Sequence, residues 1–318
     1  MTAIYEQDCL DCRSGYRAGR GAQEAVRDLT FDLQDGMYGS LVEADVQGVF
    51  DQLDHAWLLT MVRERIDDRA CLRLMRQWLT AGMLESDGHV VPPETGSPQG
   101  GSISPVLANG YLHSALEVGF AKGVKAHCRG EALLCRYADA WGCALRYQAD
   151  AERFYRVLPH RLKKCNRQVA PETTHLLRFS RCHPSRRRRF TCLGFALSWM
   201  PDRGGVPRVK RRTARKKLQV ACRRMAEWIQ QHRHLLGRAC YQRLNTRFRG
   251  HDNYYGLHGN VRSLHRFFER AIRCTFTWRN RRGGKRQRFP WEQCTQGLDR
   301  VHIARPRITQ GKRRRVFA

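Results

Sequence analysis

The chain has 318 residues, 42% of them hydrophobic, enough for a sizeable core and by length for one large or two medium domains. Its 58 Lys and Arg stand against 29 Asp and Glu, a formal net charge of +29 that opposes compaction and points to a polyanionic partner, most commonly nucleic acid. No long apolar span is present and the first residues, MTAIYEQDCLDC, carry three acids and no base, so no membrane segment, signal peptide or transit peptide is expected, and a cytoplasmic protein is.

In chain order, GAQEAVRDLTFDLQ (21–34) has helical spacing. YGSLVEADVQGVFDQL (38–53) begins as a strand in which Leu41 and Val42 precede Asp45. HAWLLTMVRERI (55–66) and ACLRLMRQWLTAGML (70–84) read as amphipathic helices. A glycine-rich turn, ETGSPQGG (94–101), opens a helix over 103–124 with a proline near its start, where proline is tolerated. EALLCRYADAWGCALRY (131–147) is two apolar runs about a turn, a hairpin; a helix over 151–166 and a hairpin-like piece at 190–200 follow. From about residue 179 the chain turns strongly basic, and Pro and Gly in MPDRGGVPR mark a loop, so domains of 1–204 and 205–318 are expected. Beyond it, 213–236 is helical with a stripe of Leu218, Ala221, Cys222, Met225, Trp228 and Ile229 under a basic face, and 263–282 repeats the pattern. Thirteen cysteines, odd in number and scattered, give only one CxxC, Cys9 and Cys12, so reduced, half-buried thiols are expected rather than a metal or disulfide framework.

The residues that carry chemistry are few. Asp45 and Asp139 each end a short apolar run. Strand-end aspartates are mostly turn formers, but two on adjacent strands could hold Mg²⁺, which prefers oxygen ligands. Between them lies the glycine-rich turn, whose free amides could approach a phosphate or base pair closely. Arg247, Arg249, His251, Asn253 and Tyr254, with Tyr255 beside it, interleave basic, amide and aromatic groups of the kind that contact RNA phosphates, 2′-hydroxyls and unpaired bases. Tyr254 and Tyr255 could equally be core aromatics.

The order of these parts resembles the reverse transcriptases encoded by bacterial group II introns. ADVQGVFDQLDH (44–55), TGSPQGGSISPVLANGYLH (95–113), RYADAWG (136–142) and CLGF (192–195) are similar to successive motifs of the family's palm. DCRSGYRAGRGAQEAV (11–26) resembles the preceding finger motif, and RFRGHDNYYGLHGNVRSLHRFF (247–268) with RPRI (305–308) resembles the maturase, or thumb, domain. The resemblance implies an α+β fold: a palm with an antiparallel sheet, packed helices and partial fingers, then an α-helical thumb. It implies RNA-directed DNA polymerisation by two-metal phosphoryl transfer, with Mg²⁺ or Mn²⁺, and as partners the group II intron RNA and an RNA template with a DNA primer. It implies roles as well. Asp45, the Val46 carbonyl and Asp139 match the metal ligands, and Phe50 the gate against a ribose 2′-hydroxyl. Gln99, with Gly100 and Gly101, matches the nucleotide-binding turn. Leu193 and Gly194 match the primer grip, and Arg17 and Arg20 the template-side fingers.

Three departures weaken the implied activity. The family carries two adjacent aspartates where this chain has Asp139 followed by Ala140, and strand alternation puts the second on the opposite side of the strand from the first. Thr173 stands where the family has a lysine. The family also carries roughly a hundred residues before the finger motif, including phosphate-clamping Lys and Arg, that are not in this sequence. An impaired polymerase is expected, with an inactive RNA-binding remnant that assists intron folding as the alternative. The end, RITQGKRRRVFA, carries no zinc-ligand cluster, so no DNA endonuclease activity is expected.

Overall fold

A computed structural model of the protein describes residues 15, 21–45, 53–81, 83–84, 90–91, 96, 103–138, 140–164, 170, 172, 174–185, 187–235, 237–281 and 290–310. Helix α1 (Ala22–Asp35) buries Ala25, Val26, Leu29 and Leu33, one face of a 3.6-residue period, and the Glu24 carboxylate reaches back to the Gly21 amide at its start. Strand β1 (Ser40–Asp45) follows. Helices α2 (His55–Arg63) and α3 (Arg69–Thr80) each begin at an aspartate whose side chain accepts first-turn amides: Asp54 from Trp57, Asp68 from Ala70 and Cys71. A small ribbon, β2 (Met83–Leu84) with β3 (Val90–Val91), precedes helix α4 (Ser104–Leu112). Strands β4 (Ala132–Tyr137) and β5 (Ala140–Leu145), helix α5 (Gln148–Lys164) and strand β6 (His175–Arg178) complete this part.

These strands form one antiparallel sheet in the order β4-β5-β1-β6. Strand β1 is central, pairing with β5 from Ser40↔Leu145 to Asp45↔Ala140. Val42 and Ala44 point into an apolar layer with Leu134, Trp141, Cys143 and Leu145 of the neighbouring strands, covered by Met75, Leu107, Tyr111, Phe154 and Leu158 of the helices. Period-two alternation then sends Glu43 to the opposite face. Against that face lies β7 (Phe190–Cys192), which with β8 (Phe195–Pro201) and β9 (Pro207–Thr213) makes a second sheet of order β7-β8-β9. The Phe190 ring lies against Gly142, where a Cβ would sit 2.8 Å from it.

Among the described residues there follow helices α6 (Arg215–Gln231), α7 (Gly237–Tyr255), α8 (Val261–Arg281) and α9 (Trp291–Arg300). Met225, Trp228 and Ile229 bury the predicted stripe against Leu244, Phe248, Phe267, Phe268 and Ile272, with Leu218, Ala221 and Cys222 half-buried beside them. An extended tail is pinned along α7. Asn245 accepts the Ala304 amide, Asp252 the Arg307 amide and the Gly256 carbonyl the Thr309 amide.

The chain divides into two compact units, residues 1–192 with 198–209 and residues 193–197 with 210–318. The chain thus changes unit within β8 and again within β9. The structure departs from expectation in places. The helix read over 70–84 ends at Thr80, and Met83–Leu84 form strand β2 instead. The helix over 103–124 is α-helical only to Leu112, then takes π-helical turns at His113–Glu117 and Phe120–Val124. Strand β9 falls in a run read only as basic. Just Val209 and Thr213 are buried along it, so the arginines hide its alternation. None of the helices among the described residues is long and apolar enough to cross a membrane.

Candidate functional site

Strand pairing brings two of the motifs together. Asp45 ends β1 with its backbone paired to Ala140, the residue that follows Asp139. Only the backbone of Asp45 is described. Arg17, Arg20, Val46, Phe50, Gln99, Gly100, Gly101, Asp139 and Thr173 lie outside the described residues. Tyr137 pairs with Ala140, so the β4–β5 hairpin turns in two residues, and Ala138 takes a left-handed φ of +57°. A period-two rule does not run through such a turn. Ala140 and Gly142 lie on the Glu43 face of the sheet, so a carboxylate at position 140 would stand across from residue 45.

Beneath the turn is a buried polar network that no motif announced. Arg136, on the apolar face of β4, is fully buried. Its Nε donates to the Glu117 carboxylate at 2.6 Å, and Nη1 donates to Asn109 Oδ1 at 3.1 Å and to the Ala138 carbonyl at 2.9 Å. Glu117 reaches it from the first π-helical turn and also meets His113 Nδ1 at 2.6 Å. Burial pushes the Glu117 carboxyl up, but the His113 hydrogen bond and the Arg136 charge outweigh it and hold it below its ordinary range. Asn109 donates onward to the Gly15 carbonyl at 3.3 Å. Gly15 runs so close to the turn that a Cβ on it would lie 2.4 Å from the Ala138 nitrogen. The finger-like, helix and hairpin motifs therefore meet at one turn.

Two further groups belong to β1 and to the segment that follows it. Glu43 is partly buried, which raises its carboxyl to about 7 against the opposing pull of a Thr191 backbone hydrogen bond. Gly96 joins the glycine-rich turn to the segment after β1. Its amide donates to the Leu53 carbonyl at 2.8 Å, and His55 Nε2 lies 2.6 Å from its own carbonyl oxygen. Periodicity gave no signal for Glu43, His55, Asn109, Glu117 or Arg136. The one available hint was a charged residue, Arg136, at an inward-facing strand position. The helix-covered side of the sheet also holds an apolar cavity of about 340 Å³, walled by Phe120, Leu134, Trp141 and Phe154.

In the helical unit, Arg247, Arg249 and Asn253 are exposed on α7, and the Arg247 guanidinium sits 4.3 Å above the Trp228 ring. The His251 side chain is only 7% exposed and stacks on Phe267 at 3.8 Å. The Tyr254 hydroxyl donates to the Leu193 carbonyl at 3.2 Å. Leu193 and Gly194 form the two-residue turn between β7 and β8, with φ of +51° and +76°.

A sequence profile of the family described as "Reverse transcriptase (RNA-dependent DNA polymerase)" matches residues 8–197. The chain belongs to the reverse transcriptase family. Its relatives include the group II intron-encoded protein LtrA of Lactococcus lactis subsp. cremoris, 34% identical over 113 residues, which are 36% of this chain and 18% of that protein. Protein YkfC of Escherichia coli (strain K12) is 29% identical over 171 residues, 48% of this chain and 44% of that protein. The chain thus matches less than half the length of either relative. Among solved structures, a telomerase from Candida albicans in complex with a TWJ fragment of telomeric RNA superposes with a TM-score of 0.50. That match has 11% identity, covers 94% of this chain and 54% of that one, and shows a shared fold. The mixed fold of antiparallel sheets and packed helices is that of the reverse transcriptases.

Divalent ions go with this family. Among the described residues no group of three or more His, Cys, Asp or Glu is arranged to hold one. By residue type, Asp45 and Asp139 are carboxylates rather than thiols or imidazoles, the oxygen donors that a hard cation takes, and the backbone pairing sets a small residue, Ala140, across from Asp45.

Proposed function

We propose that the protein is a reverse transcriptase and maturase of the group II intron kind, acting in the cytoplasm on intron RNA and on an RNA template with a DNA primer, with its polymerase activity strongly impaired. The single observation that supports this reading is the β1–β5 register, which sets Asp45 beside the residue that follows Asp139. Asp45, the Val46 carbonyl and Asp139 would hold Mg²⁺ or Mn²⁺, which when bound stabilises the attacking and leaving oxygens of phosphoryl transfer. The chain's own residues do the rest. Phe50 excludes a ribose 2′-hydroxyl by bulk. Gln99, Gly100 and Gly101 seat the incoming nucleotide, and Leu193 and Gly194 the primer strand. Arg17 and Arg20 lie toward the template, and Arg136 fixes the turn before Asp139 through the Ala138 carbonyl. Arg247, Arg249 and Asn253 contact RNA phosphates and hydroxyls.

A second reading, an RNA-binding remnant without polymerase activity, is favoured by Ala140. A methyl group occupies the position across from Asp45 where the family places a second carboxylate. Losing one such group removes transition-state stabilisation of a few kcal/mol, about a hundredfold or more in rate.

Primer extension on an RNA template, with Mg²⁺ or Mn²⁺, tests both readings. The natural protein is compared with Asp139→Ala and Ala140→Asp. Extension that disappears in Asp139→Ala supports a working enzyme. No extension from the natural protein, with salt-sensitive RNA binding intact, establishes the remnant. Rescue by Ala140→Asp then locates the defect at the hairpin.

A further inference from the structure

The Leu193–Gly194 turn closes its hairpin with two left-handed residues. That arrangement suits the twist of a hairpin but favours Asn or Gly at its first position. A leucine there is a backbone outlier, and such outliers persist only where the surroundings over-determine them. Here the surroundings are two adjacent tyrosines at the end of α7. The Tyr254 hydroxyl donates to the Leu193 carbonyl at 3.2 Å. The Tyr255 hydroxyl occupies the space beside Gly194, 3.0 Å from where a Cβ would stand, a tight approach that adds to the preference for glycine set by the φ of +76°. The next residue, Phe195, stacks on Tyr254 with ring planes 15° apart and leans on Tyr255 at 5.3 Å. Tyr255 in turn packs on His251 at 4.9 Å, and His251 on Phe267. A column of rings thus runs from the core of the helical unit to the turn. The Gly194 carbonyl is tied as well, accepting the Ala214 amide at 2.8 Å. Residues 193–197 accordingly group with the helical unit, although β7 just before them belongs to the other.

We propose that Tyr254 and Tyr255 are positioning residues that hold the Leu193–Gly194 turn in its left-handed form. The primer-gripping segment is thereby shaped by helix α7 rather than by the strands it joins. This deepens the reverse transcriptase reading of the turn and rests on it. Tyr254 acts through the main chain of Leu193, not by stacking on an RNA base. Tyr255 backs the turn at Gly194, whose left-handed φ itself favours glycine.

The test uses the full chain and three variants, Tyr254→Phe, Leu193→Gly and the double substitution. Tyr254→Phe keeps the ring and its stack and removes only the hydroxyl. Dissociation constants are measured at one salt concentration for a recessed RNA–DNA hybrid and for single-stranded RNA. Tyr254→Phe is expected to weaken hybrid binding about five- to tenfold, the worth of one hydrogen bond, and to leave single-stranded RNA binding within about twofold. In the Leu193→Gly background the same change should have no further effect, because glycine adopts the turn without support. An equal loss in both backgrounds would mean that the hydroxyl touches nucleic acid directly and would overturn the proposal. Equal losses for both ligands, or no loss at all, would overturn it too. A natural protein that does not prefer the hybrid over single-stranded RNA would defeat the primer-grip reading itself, a failure visible before any variant is made.

Discussion

At Glu43 a carboxylate sits partly buried, two residues before Asp45, with its carboxyl raised to about 7 by burial. In the unfolded chain it titrates at its ordinary value of 4.5, so the folded state binds that proton more tightly. The stability this contributes is complete below 4.5 and is lost as pH rises through about 7. Glu43→Gln, which stays neutral, should therefore raise stability at pH 8 by about 1–2 kcal/mol, less than the full shift implies because the carboxylate is partly solvated. Urea unfolding across this pH range checks it, and an unchanged slope of stability against pH would refute it. Arg136 and Glu117 present the opposite case, two charges paired at zero exposure. Glu117→Ala leaves a guanidinium buried without its carboxylate and should cost about 3–5 kcal/mol, whereas Arg136→Met with Glu117→Leu should cost much less. Equilibrium unfolding of both variants separates an unpaired charge from lost volume.

The β4–β5 hairpin is where local pattern and tertiary arrangement part. Two apolar runs about a turn announced it, and the structure places its second strand against β1. Its effect on chemistry depends on register. Ala140 faces the position of Asp45, so a second carboxylate there adds like charge across the pair, which is unfavourable until a cation bridges them. Ala140→Asp should therefore lower the melting temperature in chelator and raise it more steeply than the natural protein when Mg²⁺ or Mn²⁺ is added. Thermal unfolding with and without the ion gives the answer, and equal metal responses would argue against a shared site.

For the whole molecule, a net charge of +29 dominates every long-range interaction. RNA affinity should fall steeply and log-linearly with salt, with a slope of about −0.7 for each phosphate contacted on a single strand. Arg249 is exposed on α7, and Arg249→Gln should reduce that slope by about 0.7 without altering the fold. Filter binding from low to moderate salt measures it. An unchanged slope would remove Arg249 from the RNA surface. The same excess of positive charge works against the compact state, which the apolar layer beneath β1 and the ring-rich core of α6, α7 and α8 must offset.

The sequence by itself determined the elements and the family. Apolar spacing marked α1 through α3 and the stripe on α6, and ordered motifs carried the reverse transcriptase resemblance. These are local signals, set by period and turn chemistry. Strand β9 escaped because its arginines mask a period of two, and the π-helical turns escaped because a helix-wide pattern does not register one extra residue per turn. Only the tertiary structure decided that Arg136 meets Glu117, that Ala140 pairs across from Asp45, and that Tyr254 and Tyr255 touch the turn at Leu193 and Gly194. Each of these joins residues far apart in the chain. Such contacts depend on register and packing, which a side chain's identity constrains but cannot specify.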